Sequence, residues 1–217
     1  MIYLDYSATT PVSYDVLESY IRATKDFPGN PNSLHSLGVK SKTLMNSAMK
    51  QIADLFNILE SEITFTSGAT ESNNMALIGT ALANMKNGNH IIVSKLEHPS
   101  IYKICEYLES IGFNISYVNN DSVSFHDVDM ASISAHKIFG PKGIGLFYKN
   151  SRVKLMPIIH GSGKSNDLKP GTPAVPLIVA FSKALRLALM DLDKRENFVR
   201  RLNEKIVTEI SKMDGIL

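Results

Sequence analysis

Apolar positions along the chain change period several times, and each change marks an element. From Pro11 to about Phe27, the residues Val16, Leu17, Tyr20 and Ile21 recur at helical spacing, and a second helical pattern spans roughly Val39 to Phe56. Glu62-Ile-Thr-Phe-Thr66 alternates as a strand, and Ser67-Gly68-Ala69-Thr70 turns out of it into an Ala/Leu-rich helix running to about Met85. Strands at His90–Ser94 and Asn114–Val118 flank a helix whose apolar side carries Ile101, Ile104 and Leu108. A short strand then stops at Ser134, an Ala-His-Lys corner and a turn at Gly140-Pro-Lys-Gly143 follow, and another apolar strand covers Ile144 to Tyr148. Pro176 to Leu192 is a continuous apolar helix, and Glu196 to Met213 is amphipathic, with Val199, Leu202, Ile206 and Ile210 on one side. The strand–helix alternation from Ile63 to Val118 is the order that builds a parallel sheet.

Three predicted strands end on residues with chemistry. Lys137 follows the strand that stops at Ser134. In a partly dry cleft there, desolvation would lower its pKa and free the amine to attack a carbonyl; the plain alternative is a solvated lysine. Gly68 permits close approach of backbone to a ligand, and the first free N–H groups of the helix it opens, with the hydroxyls of Ser67 and Thr70, form a phosphate cradle. The alternative there is an ordinary helix start capped by Ser67 or Thr70. His98, in Glu97-His98-Pro99-Ser100, places an imidazole at a third strand end, where it either lies on a ring-shaped cofactor or caps a helix. Ligands of open α/β sheets bind at that edge.

Composition narrows the choice of class. At 217 residues, 44% hydrophobic and 20% charged, the chain fits one good-sized domain. A net charge of +2, with Lys and Arg spread along the chain, gives nucleic-acid binding no support. No apolar run approaches the roughly 20 residues of a membrane helix, and Met-Ile-Tyr-Leu-Asp does not resemble an export signal. The single cysteine, Cys105, excludes a disulfide within the chain and suits a reducing cytoplasm. Its helical surroundings make it a half-buried packing thiol rather than a nucleophile.

Seven segments, taken together, resemble the cysteine desulfurase family of class V, fold-type I enzymes that depend on pyridoxal phosphate (PLP). They are Tyr3-Leu-Asp5-Tyr-Ser-Ala8-Thr9-Thr10-Pro11, Gly29-Asn30-Pro31-Asn-Ser33-Leu-His35-Ser-Leu-Gly38, Thr66-Ser-Gly-Ala-Thr70-Glu-Ser-Asn73-Asn74, Glu97-His98-Pro99, Ser134-Ala-His136-Lys137, His160-Gly161-Ser162-Gly163 and Pro170-Gly171-Thr172-Pro-Ala-Val-Pro176. The resemblance implies an α/β fold: a three-layer, mostly parallel sheet flanked by helices. It implies Lys137 as the Schiff-base lysine and His98 as the histidine on the pyridine ring. Ala69 (through its main chain), Thr70, Ser134 and His136 become contacts of the phosphate or ring. Thr172 is similar to the threonine that reaches the phosphate of a neighbouring subunit in a homodimer. The implied substrate is L-cysteine, converted to alanine and an enzyme persulfide for a sulfur acceptor or scaffold in iron–sulfur cluster assembly. Selenocysteine lyases and aminotransferases of the same class share Lys137 and the phosphate loop.

The chain departs from the family pattern in three places. After Asn114-Ile-Ser-Tyr-Val118 the family continues through a helix, a strand with an Asn-rich end, a second helix and a strand carrying the aspartate that pairs with the pyridinium nitrogen. Here Asn119-Asn-Asp121-Ser-Val runs straight into Ser124-Phe-His126-Asp127, and nothing around Asp121 matches the missing strand. In the family order those two strands lie in the middle of the sheet, so either the flanks rejoin, a second subunit lends strands, or the sequence omits residues that its parent gene encodes. The arginine usual just before the Gly-Thr pair is absent beside Gly171-Thr172. The sequence ends at Leu217, where the small domain with the nucleophilic cysteine and the carboxylate-binding arginine would begin. The expected organisation is an N-terminal arm and helix over 1–28 and a PLP-binding large domain over 29–217, internally shortened near 119–124. Such a chain is expected to be weak or inactive alone, or to be a catalytically dead PLP-binding or interaction remnant.

Overall fold

The computed structural model describes residues 2–119, 128–161, 168–213 and 215. The junction at Asn120–Asp127, with Asp121, and the stretch Ser162–Asp167 lie outside the described residues. Chain order is α1 (Tyr14–Asp26), α2 (Ser36–Phe56), β1 (Ile63–Thr66), α3 (Ala69–Asn84), β2 (His90–Ser94), α4 (Pro99–Ser110), β3 (Asn114–Val118), β4 (Met130–Ser134), β5 (Gly145–Lys149), α5 (Val175–Met190) and α6 (Leu192–Ile210). A single 3₁₀ turn, Ala135–Lys137, carries Lys137 off the end of β4. The helices sit where apolar spacing placed them, with caps deciding their ends: His35 accepts from Gly38 N–H at the start of α2, and Asn57 closes it in the left-handed conformation.

The strands form two sheets. One is three-stranded, in the order β1-β5-β4, and the other pairs β2 with β3. β5 runs antiparallel to both of its neighbours, so β1 and β4 are parallel to each other, and β2/β3 is parallel. The architecture is therefore α/β with a mixed sheet. The turn through Gly140-Pro-Lys-Gly143 sends the chain straight back along β4, which a parallel strand would not permit without a longer crossover.

Side chains alternate across the three-stranded sheet. Ile63, Leu146 and the half-buried Phe65, Ile133 and Tyr148 face a core completed by Ile52 of α2 and Ile178, Phe181 and Leu185 of α5. The opposite face buries Phe147 and turns polar residues to α3: Thr66 Oγ1 lies 2.8 Å from Ser72 Oγ, and Ser132 Oγ donates to Asn73 Oδ1 at 2.7 Å. The β2/β3 pair has its own core of Ile104, Leu108 and Phe113, against which Leu77, Ile78 and Ala81 of α3 pack. α1 is bound through Val16 to Ala180 and Ala184 of α5. α6 carries no buried residue, and Val199, Leu202, Ile206 and Ile210 are all exposed.

Among the described residues, β4 has a strand neighbour only on its β5 side and β2 only on its β3 side. The flanks have not rejoined into one sheet. Ile92, in the middle of β2, is 65% exposed, on the face turned away from Ile91 and Val93. Asn150 N–H donates to Asp129 O and Ala135 N–H to Ile144 O, at 2.8 and 3.2 Å. Odd-numbered residues of β4 thus direct their amides at β5, and Met130 and Ser132 direct theirs at the open edge. Residue-resolved hydrogen exchange should show Met130 and Ser132 exchanging rapidly while Ala131 and Ile133 are protected. Equal protection at all four positions would mean that the β4 edge is covered.

Candidate active site

The site begins with two glycines. Gly68, between β1 and α3, has φ +151°, a conformation that L side chains rarely adopt, and Gly145 opens β5 directly beneath it. A Cβ on Gly145 would lie 2.6 Å from Gly68 Cα and 2.8 Å from Ile133 O. This contact sets the start of α3 on the end of β4, where Ser134 Oγ accepts from Ala69 N–H at 2.9 Å. Ser72 N–H makes the first bond of the helical ladder, to Gly68 O. The N–H groups of Thr70 and Glu71 precede that ladder and belong to the positive end of the helix.

The N-terminal arm closes the other side. Thr10 donates to His136 O through N–H (2.8 Å) and Oγ1 (3.0 Å), and Thr10 Oγ1 accepts from Phe139 N–H at 2.7 Å. These bonds, with Ser13 N–H on Phe139 O, hold Phe139 at φ 61°, a costly conformation for an aromatic residue. Lys137 Nζ donates to the Ser7 carbonyl. Lys137 is exposed, so the dry cleft expected from the sequence is not formed around its amine: Ser134 and Ala135 are buried, but by the end of the 3₁₀ turn the chain has reached the surface. His136 Nδ1 lies 3.3 Å from Thr9 Oγ1. Its pKa is lowered, by burial first and then by the charges of Lys137 and Lys142.

One cleft of about 900 Å³ gathers Ser67, Ala69, Thr70, His98, Ser134, His136 and Lys137. Six of the seven residues predicted for the site are therefore brought together. Thr172 is not among them; it lines a separate depression of about 370 Å³ with Met45, Met49 and Ser67. His98 caps α4, its Nδ1 accepting from Ser100 N–H at 3.1 Å, and it also lines the cleft. Cys105 is fully buried, not half-buried, and desolvation pushes its thiol pKa up. It does not reach the cleft.

A carboxylate that the sequence reading passed over lies at the α3 start. Glu71 accepts from Ser67 N–H and pairs with Lys169, at the place where an arginine was missed. Burial raises the Glu71 pKa, but Lys169 and the Ser67 hydrogen bonds outweigh it, and the net displacement is downward. Asn73, Ser100 and Ser132 also line the cleft and were given no role from sequence, because their meaning rests on contacts between distant segments.

The donor set suits PLP. Free helix N–H groups and the Thr70 hydroxyl match a phosphate, and an exposed amine stands beside them for an aldehyde. Among the described residues no group of three or more His, Cys, Asp or Glu is arranged to hold a metal, and no helix is long and apolar enough to cross a membrane.

Comparison with known proteins agrees with this geometry. The aminotransferase class V family profile matches residues 2–123 and again 121–217, so the two matches meet within 121–123. Cysteine desulfurase IscS of Dictyoglomus turgidum is 32% identical over 274 aligned positions, covering 97% of this chain and 70% of that protein. The NifS/IcsS protein homolog of Lactobacillus delbrueckii subsp. bulgaricus is 33% identical, covering 100% of this chain and 73% of its own length. A solved NifS-like protein superposes with a TM-score of 0.89 at 28% identity, over 97% of this chain and 76% of that one. The chain belongs to the class V aminotransferase family, whose members depend on PLP, and is homologous to its cysteine desulfurases. The 274 aligned positions exceed the 217 residues of the whole chain, so the Dictyoglomus protein carries internal residues that this one lacks.

The Glu71–Lys169 pair yields a pH test. A carboxylate whose folded pKa is depressed adds stability above its unfolded pKa, near 4.3, and loses it as pH falls through the folded value. Lys169 is partly exposed, so solvent limits the pair to about 1 kcal/mol or less. Glu71→Gln should lower urea stability by that amount at pH 7 and converge with wild type in acid below the carboxylate range. A difference that persisted unchanged there would rule out the ionised pair as its source.

Proposed function

We propose that this chain is a desulfurase-type PLP domain that takes L-cysteine as substrate and is impaired in turnover by itself. The observation that carries the reading is the single cleft uniting Lys137 and His98 with the start of α3. When bound, PLP supplies an aldehyde and a ring that withdraws electrons from the substrate α-carbon. The Lys137 amine is the nucleophile toward that aldehyde and afterwards carries a proton at Nζ. Thr70, the N–H groups at the α3 start and His136 hold the phosphate. Ser134 keeps Ala69 N–H satisfied and the helix start in place, and His98 exchanges protons through Nε2. Thr172 serves the neighbouring site of a cytoplasmic homodimer, and sulfur passes to an acceptor or scaffold for iron–sulfur assembly. The domain boundaries belong to the same reading: 1–28 as arm and first helix, 29–217 as the large domain, shortened near 119–124.

Impairment follows from the described groups. Among the described residues, the carboxylates lining the cleft are Glu71, engaged by Lys169, and Glu97, on the loop before α4; none of the described strands supplies one. Among the described residues, a ring nitrogen would thus find no acid partner on a strand to keep it protonated. The only cysteine in the sequence is buried in α4 and cannot accept sulfur in the cleft. A second reading, a PLP-binding or interaction remnant without turnover, is favoured by the open β2 and β4 edges.

Borohydride reduction of the PLP-loaded chain should place the pyridoxyl group on Lys137, and Lys137→Ala should abolish the visible absorption band. Label on Lys142 or Lys95 instead would refute the assignment. In the same preparation light scattering should give the mass of two chains, and a stable monomer would remove the role given to Thr172.

With PLP and L-cysteine, sulfide release should fall at least about 10²-fold below that of an intact desulfurase, the usual value of one lost electrostatic partner. A comparable rate that disappears in Cys105→Ser would overturn the account of impairment.

A further inference from the structure

A polar chain crosses the cleft floor from β4 to α4. Ser132 Oγ donates to Asn73 Oδ1 at 2.7 Å, Asn73 Nδ2 donates to Ser100 Oγ at 3.0 Å, and Ser100 Oγ lies 3.0 Å from His98 Nδ1. The same Nδ1 accepts from Ser100 N–H at 3.1 Å. Each link has one direction. A carboxamide nitrogen can only donate, so Ser100 Oγ receives from Asn73 and has its own proton free for His98. The backbone N–H can only donate as well. Nδ1 therefore faces two donors and must be the acceptor.

We infer that Asn73 and Ser100 are positioning residues that hold neutral His98 as the Nε2–H tautomer and orient that proton into the cleft. This deepens the function proposed above, in which His98 exchanges protons through Nε2. As that tautomer the ring presents a proton donor, at Nε2, to whatever lies over the cleft. The chain also explains a polar residue on the sheet-facing side of α3. Asn73 links the end of the three-stranded sheet to the helix that follows β2, so the imidazole takes its register from β4 although its own strand belongs to the other sheet.

Asn73→Asp is the discriminating substitution. Aspartate matches asparagine in size and keeps the acceptor for Ser132, but it accepts from Ser100 and draws that hydroxyl proton away from His98. Nitrogen NMR of the full chain, labelled at histidine and without added PLP, reads the tautomer in the neutral limb of the His98 titration. The wild type should show Nδ1 as the pyridine-type nitrogen and Nε2 as the protonated, pyrrole-type one. Asn73→Asp and Ser100→Ala should each reduce the ratio of tautomers about five-fold, the worth of one hydrogen bond, while Asn73→Ala, which leaves Ser100 free to donate, should change it less. Circular dichroism of each variant separates loss of fold from loss of tautomer, and Ser100→Ala still decides the matter if Asn73→Asp does not fold. A protonated Nδ1 in the wild type, or equal ratios in the wild type and the folded variants, would overturn the inference. Because no PLP is present, that result would leave the Lys137 assignment standing, and a failed Lys137 assignment would leave the tautomer intact.

Discussion

The contact between Gly68 and Gly145 is the constraint on which the site depends. With 2.6 Å from an ideal Cβ at position 145 to Gly68 Cα, any side chain there would push the turn off the sheet. The displacement would separate Ala69 N–H from Ser134 Oγ and strand an amide at the helix start, at a cost of about 1–3 kcal/mol. It would also part the helix terminus from the 3₁₀ turn that presents Lys137. Two missing side chains, far apart in sequence, thus bring the start of α3 and the Lys137 amine to one place.

The second organising feature is α3. It packs Ser72 and Asn73 against Thr66 and Ser132 of one sheet and Leu77, Ile78 and Ala81 on the core of the other. With no described strand between β4 and β2, this helix is what relates the two sheets. Its mixed character follows: a purely apolar face would have left Thr66 and Ser132 unsatisfied, and a purely polar one would have left Phe113 without cover. The open strand edges on either side are the physical correlate of a family match that comes in two pieces meeting at residues 121–123.

Much of this was legible in the sequence. The helices, the strands and the placing of Thr70, His98 and Lys137 at strand ends follow from period, caps and local motifs, while Ser134 and His136 came only from the family resemblance. What was not legible depends on distant partners. Nothing local to Gly145–Lys149 says that β5 runs against its neighbours; the short turn does, once its ends are known to pair. Lys169 reads as a surface charge until Glu71 is found opposite it. Asn73 reads as an ordinary polar position on a helix, because Ser132 and Ser100 lie 59 and 27 residues away. The degree to which Lys137 is dry was misjudged for a related reason: burial of a strand end does not extend to a side chain that leaves on a 3₁₀ turn.

The hydrogen bond from Lys137 to the Ser7 carbonyl has a thermodynamic consequence. Attack on a carbonyl carbon redirects the Lys137 amine and leaves it fewer protons to donate, so the Ser7 carbonyl competes for it. Apparent affinity for any carbonyl compound is the intrinsic affinity multiplied by the fraction of chains in which Ser7 has let go. The bonds of Thr10 to His136 and Phe139 lie beyond that tether and do not compete. Ala8 and Thr9 line the cleft, Thr9 Oγ1 lies 3.3 Å from His136 Nδ1 and the Tyr6 ring meets Phe139 edge-on, so the segment that competes for the amine is also a wall of the pocket, and capture and pocket shape are set together.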